Sequence, residues 1–316
     1  MIVKERKLMG NPKINPYLVL AIGVIAISTS AILVKVSTAP SGVIAFYRLL
    51  FSVLLMGPIF FSKYRTELKL VTKRDWGISI ASGFFLAFHF ILWFESLNYT
   101  SVASSTVLVT LQPIFAFIGT YLFFKERLSL NAICSGMIAV LGSVIISYGD
   151  FKISGTALFG DMLALAACAL VTFYLLFGQS VRKRISLITY TFIVYAISTS
   201  VLLVYLLVTK ESFYPYPKSD WLYFILLAII PTLLGHTLLN WVVKWVSTSV
   251  ISVAILFEPV GATVLAYYMI GETVNLSQVI GGAVVLLGIG LYILVERKAR
   301  LTYLKPSVKK KKHPQF

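Results

Sequence analysis

The sequence predicts an all-α polytopic membrane protein, with ten transmembrane helices arranged as two inverted repeats of five and both termini cytoplasmic. Three observations carry this reading. Hydrophobic residues make up 58% of the 316 and charged residues only 13%, against roughly 25% charged in a soluble domain. The apolar residues gather into runs of span length. The basic residues fall almost wholly on alternate connections between those runs.

A span needs roughly 20 predominantly apolar residues. Ten runs qualify, at about 16–36, 41–61, 76–96, 101–124, 130–148, 157–178, 187–208, 221–243, 248–270 and 275–295. Most connections are only a few residues long, so no soluble domain fits between them. The runs are too long and continuous for barrel strands of alternating polarity, which leaves helices. The first run follows a basic start (Lys4, Arg6, Lys7, Lys13) like that of a signal peptide. Its length, Lys35 within it and Ala39-Pro40 after it read as an uncleaved first span. Cys134 and Cys168 both lie in apolar runs and form no disulfide or metal pattern, which reads as two buried hydrophobes. The aromatics are expected mostly at the lipid face and in interface belts.

On a soluble protein a net charge of +16 would suggest a nucleic-acid partner. Its distribution excludes one. The N-terminus, 62–75, 125–129, 179–186, 244–247 and the C-terminus share one side if there are ten spans, and they hold 23 of the 28 Lys and Arg. The opposite side holds only Lys152, Lys210 and Lys218. The basic side is cytoplasmic by the positive-inside rule. The tail lysines Lys309–Lys312 read as a solvated topology signal, with anionic lipid as the alternative. Lipid bilayer and a small-molecule substrate are the expected partners, the cell (inner or plasma) membrane the expected location, and monomer or homodimer the expected state.

A shift of 146 residues lays Thr100–Tyr148 over Val246–Leu294. Pro113 then meets Pro259, Glu126 meets Glu272, Tyr121 meets Tyr267, Gly136 meets Gly282 and Gly142 meets Gly288. Each copy has a span with Pro near its middle, a tight turn containing Glu, and a span bearing Gly. Upstream, His89 and His236 align with a one-residue slip. Each half thus has five spans, an odd number, so the second enters the membrane from the opposite side. Residues 16–149 form the first unit, 157–296 the second, and 297–316 a basic cytoplasmic tail. Inverted repeats typify secondary transporters with substrate sites near the midplane.

The segment Tyr99-Thr100-Ser101 through Leu111-Gln112-Pro113-Ile114-Phe115-Ala116 to Lys125-Glu126-Arg127-Leu128 resembles the fourth-helix signature of EamA-type transporters, of the drug/metabolite transporter superfamily. Ser247-Thr248-Ser249 through Phe257-Glu258-Pro259-Val260 to Gly271-Glu272 is similar to the matching part of the second EamA repeat. Lys35 and Phe46-Tyr47-Arg48 also match frequent family positions. The resemblance covers residues about 16–296. It implies ten helices, two EamA repeats and export of small metabolites such as amino acids, or of drugs. His89, Trp93 and Glu95 make the third span richer in polar and aromatic groups than is usual there.

Charges at the midplane cost roughly 2.5–3.5 kcal/mol on insertion scales, so those retained are candidates for function. Glu258 stands near the centre of span nine before Pro259, and a kinked helix with an adjacent carboxylate can line a cavity. It can hold a substrate amine or a proton; pairing with Arg48 or Lys35 is the structural alternative. Gln112 occupies the equivalent place before Pro113. His89 and Trp93 are four apart and share one helical face, as do His236 and Asn240 in span eight, with Trp241 adjacent and Pro231 poised to bend that helix. Arg48 is deep enough to attract a carboxylate or phosphate, whereas Lys35 can snorkel to the interface. The expected substrate-binding set is His89, Trp93, Gln112, His236, Asn240, Trp241, Glu258, Arg48 and Lys35. Glu258 and His89 are the candidates for proton coupling; facilitated exchange remains open. Glu95 and Asp161 read as interface residues, Glu126 and Glu272 as structural turn residues, and Gly136, Gly142, Gly281, Gly282, Gly288 and Gly290 as close-packing positions.

There is no Gly-x-x-x-x-Gly-Lys-Ser/Thr loop, no His-Glu-x-x-His and no Gly-x-Ser-x-Gly. No catalytic residue, metal site or cofactor is expected. The alternatives to metabolite export are translocation of a lipid or lipid-linked substrate and, less favoured, a membrane-embedded enzyme.

Overall fold

The computed structural model describes residue 12 and residues 14–100, 102–147, 155–271 and 273–304. Among these, every regular element is a helix. Nine helices are long and apolar enough to cross a membrane, and a further apolar one is shorter. In chain order they are α1 (Pro16–Val36), α2 (Ser41–Leu70), α3 (Lys73–Tyr99), α4 (Ser104–Phe124), α5 (the shorter one, Leu130–Ile146), α6 (Gly155–Val181), α7 (Leu187–Thr209), α8 (Lys218–Val242), α9 (Thr248–Ile270) and α10 (Leu276–Lys298). Lys4, Arg6, Lys7, Lys13, Ser101, Tyr148, Lys152, Glu272 and Lys309–Lys312 lie outside the described residues.

Local chemistry sets the helix ends. Pro16 opens α1, where its missing N–H costs nothing, and Asn15 Oδ1 accepts from the Tyr17 N–H at 2.9 Å. Thr72 Oγ1 accepts from the Asp75 N–H at 3.1 Å and donates to the Asp75 carboxylate at 2.7 Å, which starts α3. Ser186 caps α7 by accepting from the Thr189 N–H. α4 and α9 both end on a left-handed residue, Lys125 at φ 56° and Gly271 at φ 70°. These two ends are again separated by the 146 residues of the sequence repeat.

Three expectations change. Residues 62–70, read as loop, continue α2 as a π turn (Phe60–Tyr64) and a 3₁₀ turn (Arg65–Leu70). Phe60 stacks on Phe192 at 3.9 Å, and Glu67 accepts from the Ser186 N–H at 2.7 Å; these contacts tie the extension to α7. Cys134 is exposed on α5 while Cys168 is buried. An apolar run alone does not tell a core position from an outward one. For the same reason the aromatics divide: Tyr174, Tyr190, Tyr195, Tyr292, Phe60, Phe90, Phe94 and Phe224 are among the largest fully buried side chains.

Helix pairing follows the repeat. α3 packs along α6 as α8 packs along α1, while α2 meets α7 and α5 meets α10. Advancing every number by five exchanges or preserves these pairs, as a two-fold relation between five-helix units requires. Backbones touch along the α5–α10 seam. A Cβ on Gly142 would lie 2.5 Å from the Val285 nitrogen, one on Gly281 2.6 Å from the Ile146 nitrogen, and one on Gly288 2.4 Å from the Ala139 nitrogen. Small residues permit this approach.

The connections cluster at two ends of the bundle. At one end Arg184 Nε donates to Asp75 at 3.0 Å. There too Gln179 Nε2 donates to Glu126 at 3.1 Å, and Gln179 Oε1 accepts from the Thr248 N–H at 2.7 Å. Segments 62–75, 125–129, 179–186 and 244–247, grouped above by charge, therefore lie together. At the other end Asp220 accepts from the Thr38 N–H at 3.1 Å and its hydroxyl at 2.7 Å. Tyr47 donates to the Phe213 carbonyl at 2.9 Å, and Ser104 to Asp161 at 3.0 Å. Asp161 and Glu126 thus bridge helices, and Glu95 accepts from Asn98 at 3.3 Å near its own helix end.

The seam can be tested with two glycines one turn apart or less. Gly288→Ala drives a methyl into backbone and is expected to cost about 1–3 kcal/mol. Gly290 has nothing within 4 Å of a Cβ, so Gly290→Ala is expected to be neutral or to gain up to about 1 kcal/mol from helix propensity. Thermal unfolding of the two purified variants in detergent compares them directly.

Candidate functional site

Four interruptions of the helices converge on the bundle interior. α1 breaks at Thr29, and Ser30 begins its second part. α4 breaks at Leu111 (ψ 24°) and resumes at Gln112 with Pro113 in its first turn. α9 breaks at Leu256-Phe257 and resumes at Glu258 with Pro259 in its first turn. α8 passes through a π segment, Ala228–His236, around Pro231. Pro113 and Pro259 thus stand at helix restarts, where a missing N–H is harmless. Pro231 widens α8 into a π turn rather than simply bending it.

These ends enclose a cavity lined by Ser30, His89, Trp93, Gln112, His236 and Glu258, with Ile27, Val109, Val171, Leu175, Leu239 and Ile255 as its apolar wall. The centre of a water-sized sphere can move through only about 20 Å³ there. That is room for a water or so and far less than a metabolite needs.

The polar groups here are under-satisfied. Trp93 Nε1, Gln112 Oε1 and His236 Nδ1 are buried without a hydrogen-bond partner among the described residues. Such groups are rare in folded proteins and each invites an explanation. Glu258 is 5% exposed, and among the described residues nothing hydrogen-bonds or ion-pairs with it. His89 Nδ1 donates to the Ala167 carbonyl at 2.9 Å; a carbonyl only accepts, so a neutral ring keeps Nε2 as an acceptor. The His89 ring stacks on Trp93 at 5.7 Å, and His236 meets Phe90 edge-on at 5.5 Å.

Arg48 stands one side chain behind this wall and is fully buried. Its Nε donates to Thr232 at 2.7 Å and its Nη1 to Ser30 at 2.8 Å. The guanidinium carbon lies 4.2 Å from the centre of the Phe90 ring. Nη2 has no partner. Among the described residues no carboxylate lies within ion-pair distance of Arg48, so the Glu258–Arg48 pair entertained from sequence is not formed.

Of the sequence candidates, His89, Trp93, Gln112, His236 and Glu258 meet at the cavity, with Arg48 just behind. Three do not reach the wall. Asn240 is buried, but its side chain donates to Tyr174 and to the His236 carbonyl. Trp241, the next residue around α8, packs on Trp245 at 5.9 Å. Lys35 is exposed, beyond the break at Thr29. Ser30 and Thr232 were missed, since a lone hydroxyl in an apolar run more often bonds its own helix. Arg182, counted as a topology charge, is 3% exposed and donates to the Asn240 carbonyl at 3.0 Å.

Comparison with known proteins decides the family. The profile of the EamA-like transporter family matches residues 14–148 and 158–294. The chain belongs to the EamA-like transporter family. Membership makes it a multi-span membrane transporter, consistent with the drug/metabolite transporter superfamily. It is 26% identical over 263 residues to "Uncharacterized transporter YxxF" of Bacillus subtilis (strain 168), covering 83% of each chain. It is 27% identical over 228 residues to "Uncharacterized transporter YdfC" of the same strain, covering 71% of this chain and 73% of the relative. A crystal structure 16% identical in sequence shares the fold, with a TM-score of 0.74 over 90% of this chain and 98% of the other.

The bonding of Arg48 yields a stability test. Thr232→Val keeps the shape but strips Nε of its acceptor, and is expected to cost about 1–3 kcal/mol. Arg48→Met removes the charge together with its need for partners, and is expected to cost less than Thr232→Val or to stabilise. Thermal midpoints of the two EamA variants in one detergent give the order.

Proposed function

We propose that this EamA transporter exports small metabolites such as amino acids from the cell by alternating access around the cavity at Glu258. In this reading ten helices span the cell membrane, α5 included, as two inverted units (residues 16–149 and 157–296), with both termini and the basic tail (297–316) cytoplasmic. The observation that carries it is the meeting of two repeat-related helix restarts, at Gln112 and Glu258, in one polar and under-satisfied cavity. Substrate groups would satisfy Trp93 Nε1, Gln112 Oε1 and His236 Nδ1. His89 and Trp93 would form one wall.

The small volume supports a closed state between two open ones. Opening toward the basic end would break the Gln179–Glu126–Thr248 links and the Arg184–Asp75 pair. Opening toward the other end would break Asp220–Thr38 and Tyr47–Phe213. The helix interruptions supply the bending points.

Efflux from proteoliposomes tests the reading, with a panel of amino acids, especially aromatic ones, and cationic drugs, each with and without a pH gradient. Saturable efflux of at least one solute is expected, and efflux of none would sink the reading. His89→Ala and Trp93→Ala are expected to raise its half-saturation roughly tenfold, the value of one or two lost contacts. If the gradient accelerates efflux, Glu258→Gln is expected to abolish that acceleration; a retained pH response would exonerate Glu258 as proton carrier. For topology, single cysteines at Thr38 and Lys183 are expected to react with an impermeant maleimide from outside and only after permeabilisation, respectively. The reverse pattern would invert the assignment.

A further inference from the structure

Between α2 and α3 the chain is folded, and its charges are sorted by sign. Residues 63–75 hold two acids, Glu67 and Asp75, and five bases, Lys63, Arg65, Lys69, Lys73 and Arg74. Glu67 turns toward the start of α7: it accepts from the Ser186 N–H at 2.7 Å and from the hydroxyls of Ser186 and Thr189. Asp75 is buried and accepts from Arg184 Nε at 3.0 Å and from the Thr72 hydroxyl at 2.7 Å. All five bases are exposed, and among the described residues the only ion pair is Arg184 with Asp75. Both acids are thus consumed within the protein, and the five cations face outward with no charge partner there. Orientation in the membrane requires only the number of such cations on one side. It does not require the neighbouring acids to be folded away from them.

A second observation concerns the apolar groups beside these cations. Phe61 is 60% exposed and continues the outward face of α2 formed by Leu54, Leu55 and Ile59. Leu70 is 79% exposed. It stands at the very end of the 3₁₀ turn, after Lys69 and two residues before the Thr72 cap of α3. In water nearly its whole side chain would be wetted; at the boundary of headgroups and acyl chains it is covered. A soluble anion would neutralise the cations and leave Leu70 bare. A neutral lipid would cover Leu70 and leave the cations without a partner. An anionic phospholipid answers both. The grip of Glu67 on Ser186 and Thr189 holds the turn against the bundle, so cations and leucine are presented together rather than on a loose chain.

We propose that residues 63–74 form a docking site for an anionic phospholipid at the basic end of the bundle, with the headgroup among the five exposed cations and an acyl chain over Leu70. Near an anionic bilayer surface each such cation is worth roughly fivefold in affinity, and salt screens the attraction. The site is separate from the central cavity and does not depend on the solute proposed above.

Thermal unfolding of the full chain in a neutral detergent at low salt tests this with three probes: phosphatidylglycerol, phosphatidylcholine of the same acyl chains, and inorganic phosphate. Phosphatidylglycerol is expected to stabilise at concentrations roughly tenfold or more below phosphatidylcholine, the worth of two or more of these cations, and phosphate is expected to give no comparable gain. Arg65→Gln, Lys69→Gln and Arg74→Gln combined are expected to erase the preference for phosphatidylglycerol. A control that loses the same charge outside the segment, Lys125→Gln with Arg127→Gln and Arg297→Gln, is expected to keep it. Leu70→Gln is expected to weaken both lipids about threefold to tenfold, as lost apolar burial does, and to leave the preference between them intact. Equal stabilisation by the two lipids, a phosphate effect that matches phosphatidylglycerol, an equal loss in the control, or an unchanged response in Leu70→Gln overturns the proposal. If the triple variant fails to fold, the unmodified chain decides: salt at about 1 M, where charges are screened within about 3 Å, is expected to remove the preference, and its persistence overturns the site.

Discussion

A backbone crossing hydrocarbon has no water to bond its N–H and C=O groups, so a helix can be interrupted only where other protein surrounds the break. Everything distinctive in this bundle follows from that. The interruptions at Thr29, Leu111, Ala228–His236 and Leu256-Phe257 all face inward, and each delivers a residue to the same cavity: Ser30, Gln112, His236 and Glu258. The prolines are placed to lower the cost. Pro113 and Pro259 stand in first turns, where no amide hydrogen is needed, and Pro231 stands inside a π turn.

The tight and loose parts of the structure divide the labour. Along α5–α10 glycines bring backbones into contact. At the centre, large buried aromatics and isolated polar groups leave donors and acceptors unspent. In the alternating-access reading proposed above, this packed seam would hold the bundle together while the helices around the under-satisfied cavity move. The repeat is not chemically symmetric, however. Gln112 and Glu258 hold equivalent places, but only one carries charge, and the buried guanidinium comes from α2 alone. The site therefore has a polar direction that the fold's symmetry does not impose.

Much of this was legible in the sequence because lipid reduces folding to few choices. Apolar runs of span length give the helices, and the period of 146 residues gives the two units. The X-Pro pairs at Gln112-Pro113 and Glu258-Pro259 gave the breaks, and five cavity-lining residues were named from them and from the spacings of His89 with Trp93 and of His236 with Asn240. Inward and lipid-facing positions were harder, since both are apolar: Cys134 faces outward, and aromatics assigned to belts fill the core. Lys35 and Trp241 missed the wall because the break at Thr29 and the turn of α8 set their directions. The hydroxyls of Ser30 and Thr232 gave no signal of their own.

What the sequence determined by itself, then, is the helical class, the repeat, the transporter family and the rarity of charge inside the spans, because each depends on composition and period along the chain. Only the tertiary structure decided that, among the described residues, Arg48 is held by two hydroxyls and no carboxylate and Glu258 stands unpaired, and that Arg182 is buried at the helix ends. Those facts depend on which faces of α1, α2, α3 and α8 meet. That is fixed by backbone breaks and by side-chain fit between residues as far as 184 positions apart, which no local pattern records.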